Sequence, residues 1–304
     1  MGDYSYIDIL INAVLAIIML GIGLSLTMKD FRNIFIHPRS LFTALGAQLL
    51  IVPVIAFLIA ALSGLSAPMK VGIVIVSVCA SGASSNLISH LLKGNVALAI
   101  SMTTINSLIT LVSVPLMVNL ALLTFLGVQK EISLPFWETV FQIFIVTILP
   151  AFLGIFIRRY KAGLAISLEK PLKFILPAML ATVFTIKVFL GESSGGTGIS
   201  LNETLYLFPP LIILNVLAMS AGFFSGRIMR IPFHDQYTIS IEVGLHNTAL
   251  ALLISGTILQ NAEMEKPAVV YAMFSFFTAI LFVLAIKKIF SSKEKKTPPR
   301  DPSA

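Results

Sequence analysis

The sequence predicts an all-α polytopic membrane protein of about nine transmembrane helices, and three observations predict it. Of 304 residues 57% are hydrophobic and only 12% charged, about half the roughly 25% charged share of a soluble domain. Mean hydropathy is +0.96, which suits a chain whose outside faces lipid, since a bilayer accepts an apolar exterior that water penalises. The apolar residues also come in runs of about 20, the length a helix needs to cross the hydrocarbon core. Such runs fill residues 1–290 as a single integral membrane domain, with a polar, disordered cytoplasmic tail expected over 291–304.

The first run, 7–28, follows Asp3 and Asp8 with no basic segment ahead of it and no small-residue cleavage site before Lys29. It is read as a retained span and not as a signal peptide. Runs 41–63, 68–92 and 95–126 follow, punctuated by Pro, Gly and charged residues, and the last is long enough for a tilted helix with an interfacial extension. Arg158, Arg159 and Lys161 close a fifth run at 136–158, and further runs occupy 171–190, 204–229, 235–260 and 267–290.

Orientation follows from the basic residues. With the N-terminus outside, most of the 21 Lys and Arg fall on the cytoplasmic side: Lys29, Arg32, Arg39, Lys93, Arg158, Arg159, Lys161, Lys170, Arg227, Arg230 and those from Lys287 onward. Lys173 and Lys187 lie within or near the ends of the sixth run, where long side chains snorkel. The net charge of +7 is therefore topology, and no nucleic-acid partner is expected. The single Cys79 excludes a disulfide framework and a paired-thiolate metal site.

Polar residues at membrane depth carry the information about function. The third run groups Ser81, Gly82, Ser84, Ser85 and Asn86 near its middle, and the eighth reads Glu242-Val-Gly-Leu-His-Asn-Thr248. Each places a Gly shortly before an Asn. Gly permits backbone that interrupts a helix, and Ser, Thr and Asn cap a new one, so both runs are read as pairs of half-helices. They run in opposite senses, and spans 1–4 against 6–9 form the pattern of an inverted repeat with two discontinuous helices crossing at the midplane.

Glu242 alone of the 14 acidic residues lies deep in a span. Leaving a carboxylate at the bilayer centre costs about 2.5–3.5 kcal/mol on insertion scales, and no Lys or Arg is expected at its depth. A hard cation supplied from outside fits the oxygen-bearing neighbours Ser85, Asn86, Thr103, Thr104 and Gln48 and the carbonyls around Val243 and Leu245.

These residues resemble the bile acid:sodium symporter family, bacterial members included. The resemblance rests on Gly21 to Phe31, Gln48 to Pro53, Ser85-Asn86, Gly94-Asn95 with Ser101 to Thr104, and Ile241 to Asn247. It implies a panel domain beside a core domain and an organic anion carried with sodium by alternating access. It also implies a first sodium site of Ser85, Asn86, Thr103 and Glu242 and a second of Gln48, the Glu242–Val243 region, Leu245 and His246. Three positions depart from the family pattern: Ala99 where a Ser is common, His246 where a Gln is common, and Cys79-Ala-Ser-Gly-Ala83 where Cys-Pro-Gly-Gly-Thr is usual. One or two sodium ions and proton participation both stay open.

The resulting expectation is a sodium symporter of the inner (plasma) membrane, compatible with a monomer, for a bile acid, pantoate or related carboxylate. Half-helix N-termini near Ser84 and His246, with Asn86 and Asn247, meet the anion. The alternatives are a proton-coupled carrier, a channel, and a membrane enzyme using Glu242 and His246 as acid and base; the last lacks a GxSxG elbow, an HExxH motif or a second buried carboxylate.

Overall fold

The computed structural model describes residues 6–26, 38–127, 134–192 and 195–294, and these fold as helices without a strand. The helices are α1 (Tyr6–Ser25), α2 (Pro38–Leu62), α3 (Ala67–Val78), α4 (Ala83–Leu91), α5 (Val96–Leu126) and α6 (Phe136–Tyr160). Then come α7 (Ala162–Phe189), α8 (Leu201–Ile228), α9 (Phe233–Gly244), α10 (Thr248–Leu252) and α11 (Ala262–Glu294). Six stretches are long and apolar enough to cross a membrane unaided, the α9 and α10 pair together forming one of them, while Ile9–Ser25, Ala67–Val78 and Phe174–Phe189 are shorter apolar helices.

Prolines shape several of these helices without ending them. In α2 a π turn at Ala47–Ile51 immediately precedes Val52-Pro53, and in α6 a π turn at Phe144–Ile148 precedes Leu149-Pro150. A proline has no N–H to give to the carbonyl four residues back, and widening the preceding turn accommodates that loss. In α7, Pro171 and Pro177 sit inside a continuous helix that begins at Ala162, nine residues before the expected start at 171. Residues 162–170 are thus an extension of this helix.

Three helices form one unit. A Cβ on Gly23 of α1 would lie 2.1 Å from the Ala151 carbonyl oxygen of α6, and one on Gly154 would lie 2.4 Å from that of Leu20. The two backbones are thus in direct contact, which small residues permit at helix interfaces. On the other side α7 closes against α1, with Leu176 filling the space beside Gly21. The remaining helices form a larger unit around α3 and α9, whose residues are almost wholly buried, while Phe42, Leu62, Trp137, Phe174 and Phe189 face outward as lipid contact requires.

Two expectations about charge are corrected. Lys187 does not snorkel: it is 2% exposed and ion-paired to Glu265 at 2.9 Å. Glu242 is also not the only buried carboxylate, since Asp235 is 1% and Glu265 2% exposed. Asp235 accepts hydrogen bonds from Ser40 Oγ and Asn95 Nδ2, both 2.8 Å, and so ties the starts of α9, α2 and α5 together. The tail was expected to begin at 291, but α11 continues to Glu294; residues 295–304, with Lys29, Arg32 and Lys130, lie outside the described residues.

Candidate functional site

Both expected interruptions are present, and they touch. Between α3 and α4 the chain runs extended through Cys79 to Gly82, and between α9 and α10 through Leu245 to Asn247. The Asn247 N–H donates to the Ala80 carbonyl at 2.8 Å, joining the two breaks by their backbones. Neither Gly82 nor Gly244 has a positive φ. Gly82 sits at φ −113°, ψ −169°, extended backbone open to any residue, so glycine's special conformations do not make the breaks.

Hydrogen bonds hold them. Asn247 caps α10, its Oδ1 accepting from Leu250 N at 3.1 Å. The Gly244 carbonyl, left without a helical donor, accepts from Asn215 Nδ2 at 2.8 Å and from the Tyr271 hydroxyl at 2.6 Å. Thr278 Oγ1 in turn donates to Asn215 Oδ1 at 2.6 Å. By contrast α4 begins at Gly82 with no side-chain cap, and the nearby Ser85 hydroxyl turns back to donate to the Gly82 carbonyl at 2.7 Å.

Beside this crossing lies Glu242, 1% exposed. Its Oε2 accepts from Ser81 Oγ at 2.5 Å and Thr103 Oγ1 at 2.9 Å, and Thr103 Oγ1 lies 3.5 Å from Asn86 Oδ1. Ser85 lies against the same carboxyl. Ser85, Asn86, Thr103 and Glu242 are therefore brought together, and Ser81 joins them. No hydrogen-bond partner reaches Glu242 Oε1, and no ion pair to Glu242 occurs among the described residues. A hydroxyl, amide and carboxylate set of this kind is chemistry for a hard cation. No cluster of three His, Cys, Asp or Glu occurs among the described residues.

The second set is looser. Gln48, 2% exposed, donates through Nε2 to the Ser77 carbonyl at 3.2 Å, and its Oε1 has no partner. Val243 packs in one apolar cluster with Ala47, adjacent to Gln48, whereas Leu245 packs in another with Ile88 and Met219. The His246 ring lies 5.4 Å from that of Tyr271, centre to centre, and against the Cys79 backbone, and no hydrogen bond joins it to Gln48. Of the anion residues, Asn86 is in the Glu242 group, Ser84 is in the first turn of α4, and Asn247 is committed to its cap.

A cleft open to solvent reaches this site from between the two units. Ser81 and Thr103, both bonded to Glu242, are part of its wall, with Thr104, Ser107 and Thr147 as further hydroxyls and Met19, Ile148 and Phe152 as apolar lining. Thr104 faces this space and not the carboxylate group. Among the described residues, no cationic side chain lines the cavity.

Ser81, Asn215, Tyr271 and Thr278 were not assigned to the site from the sequence. Ser81 stood in the polar run already singled out. Asn215, in the middle of an apolar span, carried the same signal as Glu242, a polar side chain at membrane depth, but nothing in the spacing ties it to a carbonyl on another helix.

A family model described as the sodium bile acid symporter family matches residues 12–195, more than half of the chain. The rice protein called probable sodium/metabolite cotransporter BASS2, chloroplastic (Oryza sativa subsp. japonica), is 29% identical over 261 residues, 84% of this chain and 58% of its own length. The uncharacterized sodium-dependent transporter YocS of Bacillus subtilis (strain 168) is 27% identical over 253 residues, 83% of this chain and 75% of its own. Human sodium/bile acid cotransporter 4 is 27% identical over 303 residues, 97% of this chain and 67% of its own. The chain thus spans less than two thirds of the rice protein.

Proposed function

The chain belongs to the sodium bile acid symporter family, and on that premise we propose that it is a sodium-coupled symporter of an organic anion, working by alternating access. The observation that carries the reading is the Glu242 group: a buried carboxylate at the contact of two broken helices, surrounded by Ser81, Ser85, Asn86 and Thr103, with no cationic side chain among the described residues to neutralise it. Sodium, as co-substrate, supplies the missing charge there. The names of the relatives, sodium/metabolite and sodium/bile acid cotransporters, support the same ion and an organic partner.

The anion enters the cavity beside Ser81 and Thr103. With no Lys or Arg among the described lining residues, its charge is met by the sodium held at Glu242 and by the amide and N–H groups at the start of α4, and its apolar body by Met19, Ile148 and Phe152. Each ligand then improves the site of the other, which is reciprocal coupling. The smaller unit of α1, α6 and α7 acts as the panel and the larger as the core. Gln48, Val243, Leu245 and His246 form the second ion site; His246, at a position where the family pattern has Gln, favours a proton there as the alternative.

The topology proposed with this is nine crossings, N-terminus outside and C-terminus cytoplasmic, in the plasma membrane. Arg39, Lys93, Arg158, Arg159, Lys161, Arg227, Arg230, Lys287 and Lys288 gather at one end of the bundle by helix alternation. An inverted repeat is supported by matching details. Asn95 caps α5 and Asn261 caps α11, each by an Oδ1 bond of 3.1 Å, and each follows closely on a left-handed residue, Lys93 at φ 55° and Gln260 at φ 49°.

The test is thermal stabilisation of the purified protein by a panel of organic anions in sodium, potassium or choline at two pH values, followed by vesicle uptake of the best ligand. Stabilisation and concentrative uptake that need sodium bear the proposal out. Stabilisation that follows pH and ignores sodium replaces it with proton coupling, and uptake that never runs uphill replaces it with a channel.

A further inference from the structure

Lys187 and Glu265 stand apart from the site and do not serve it. They are 2% exposed each, their charged atoms are 2.9 Å apart, and they belong to different units, Lys187 to α7 of the panel and Glu265 to α11 of the core. We propose that this ion pair is a latch of the transport cycle, holding panel to core at the end of the molecule opposite the cavity mouth. The proposal rests on reading the chain as an alternating-access transporter.

The two ends are distinguished by where the lining residues fall along their helices. The cavity is lined by the last turns of α1 (Met19, Ile22, Leu26), the second half of α6 (Thr147 to Ile155) and the first half of α5 (Thr103 to Leu108). In antiparallel succession these are the same end of the bundle, the one at which α6 passes into α7 through Lys161. Lys187 is two residues from the far end of α7, and Glu265 is in the first turn of α11. The pair is therefore where the units are shut while the cavity lies open toward the other side. A second polar bridge between the units lies in the same half, Thr257 Oγ1 to Asn12 Oδ1 at 3.4 Å.

Local structure is built around the pair. A Cβ on Gly256 would lie 1.6 Å from Glu265 Oε1, so only a glycine there leaves the carboxylate its place. Thr197 donates through both N–H and Oγ1, each at 2.9 Å, to the Lys187 carbonyl and so pins the end of α7. The next residue on α11, Lys266, pairs with Glu203 of its own unit at 2.7 Å. Opening this end pulls two charges apart and requires water to reach both, so a closed and an open arrangement are separated by a definite barrier and not by a continuum. Removing one partner withdraws this 2.9 Å ion pair from the closed arrangement and nothing from the open one, so the population shifts toward the open state.

The test is side-specific labelling in right-side-out and inside-out vesicles, without sodium or substrate, using Ser107→Cys in the cavity wall on a Cys79→Ala background and a charged, membrane-impermeant maleimide. With the latch intact the thiol is labelled from the mouth side. Glu265→Gln is expected to raise labelling from the opposite side about 10-fold or more, the size of a shift of about 1.4 kcal/mol between states. Gly256→Ala, which displaces the carboxylate without removing charge, moves labelling in the same direction, and the exchange Lys187→Glu with Glu265→Lys restores the original pattern. The latch is overturned if Gly256→Ala and Glu265→Gln, with unchanged elution and melting, keep the original labelling, or if the exchange behaves like the single variants. Should Glu265→Gln not fold, Gly256→Ala and the exchange decide. Unchanged labelling with concentrative uptake intact refutes the latch alone, whereas uptake by the original protein that never runs uphill refutes the alternating-access reading on which it rests.

Discussion

The two broken helices meet at one contact but are built differently. The second break is tied down: Asn247 caps the helix that leaves it, and Asn215 and Tyr271 both donate to the Gly244 carbonyl at its entry. The first break has no side-chain cap, and its hydroxyls at Ser81 and Ser85 are turned toward Glu242 and toward its own backbone. Burial follows the same division. Nearly every residue of α9 and α10 is buried, whereas α4 exposes Leu87 and Leu91. A rigid half carrying the carboxylate faces a half whose polar groups are free to rearrange, which suits a site where ion binding orders the backbone that then meets the anion.

The largest expected effect removes the asymmetry at its source. Glu242→Gln keeps an acceptor for Ser81 and Thr103 but no charge for sodium, and sodium-dependent uptake should fall about 100-fold, from the loss of about 3 kcal/mol of charge-assisted interaction. Stability without sodium should not fall, since an uncompensated carboxylate is no longer buried. Wild-type sodium activation in vesicles carrying this variant would remove Glu242 from the ion site.

Next in size is Gly244→Ala. Its Cβ would lie 2.1 Å from Met219 Cγ, and Met219 is fully buried, so the side chain has to repack. The expected cost is about 1–3 kcal/mol in denaturation, the range for overpacking a filled interior. A smaller loss of about 1 kcal/mol is expected for Asn247→Ala, the usual value of an N-cap. Asn86→Ala, which removes no cap, should leave stability nearly unchanged and weaken sodium response instead. Equal melting losses for the two Asn variants would erase the distinction between the tied and the untied break.

Much of this was legible before the fold was seen, and for physical reasons. Apolar runs must be long where lipid is the solvent, so α5 at Val96–Leu126 and α8 at Leu201–Ile228 lie within a few residues of the expected 95–126 and 204–229. Glu242 was readable because an unpaired carboxylate in such a run is costly. The Lys187–Glu265 pair was not, because each residue sits near a helix end, where charge usually reaches water, and only the packing of α7 on α11 shows that these two do not. The tie from Asn215 and Tyr271 to Gly244 was hidden for a related reason, since it joins three helices that no periodicity relates. Glycine misled in one respect: both breaks contain one, yet neither uses a positive φ.

That last point yields the smallest predicted effect and the sharpest separation of the two glycines. Gly82 is at φ −113°, and an added Cβ would come no closer than 3.8 Å to Asn247, an ordinary van der Waals distance. Gly82→Ala therefore asks for no new backbone conformation and displaces nothing. It also narrows the unfolded ensemble, a gain of about 0.4–1 kcal/mol where the native conformation is compatible. The expected result is a melting temperature equal to or slightly above that of the original protein, with sodium-dependent uptake retained. A clear drop in melting temperature would mean that the first break depends on glycine's conformational freedom after all, and that the two breaks are alike where the hydrogen bonds say they differ.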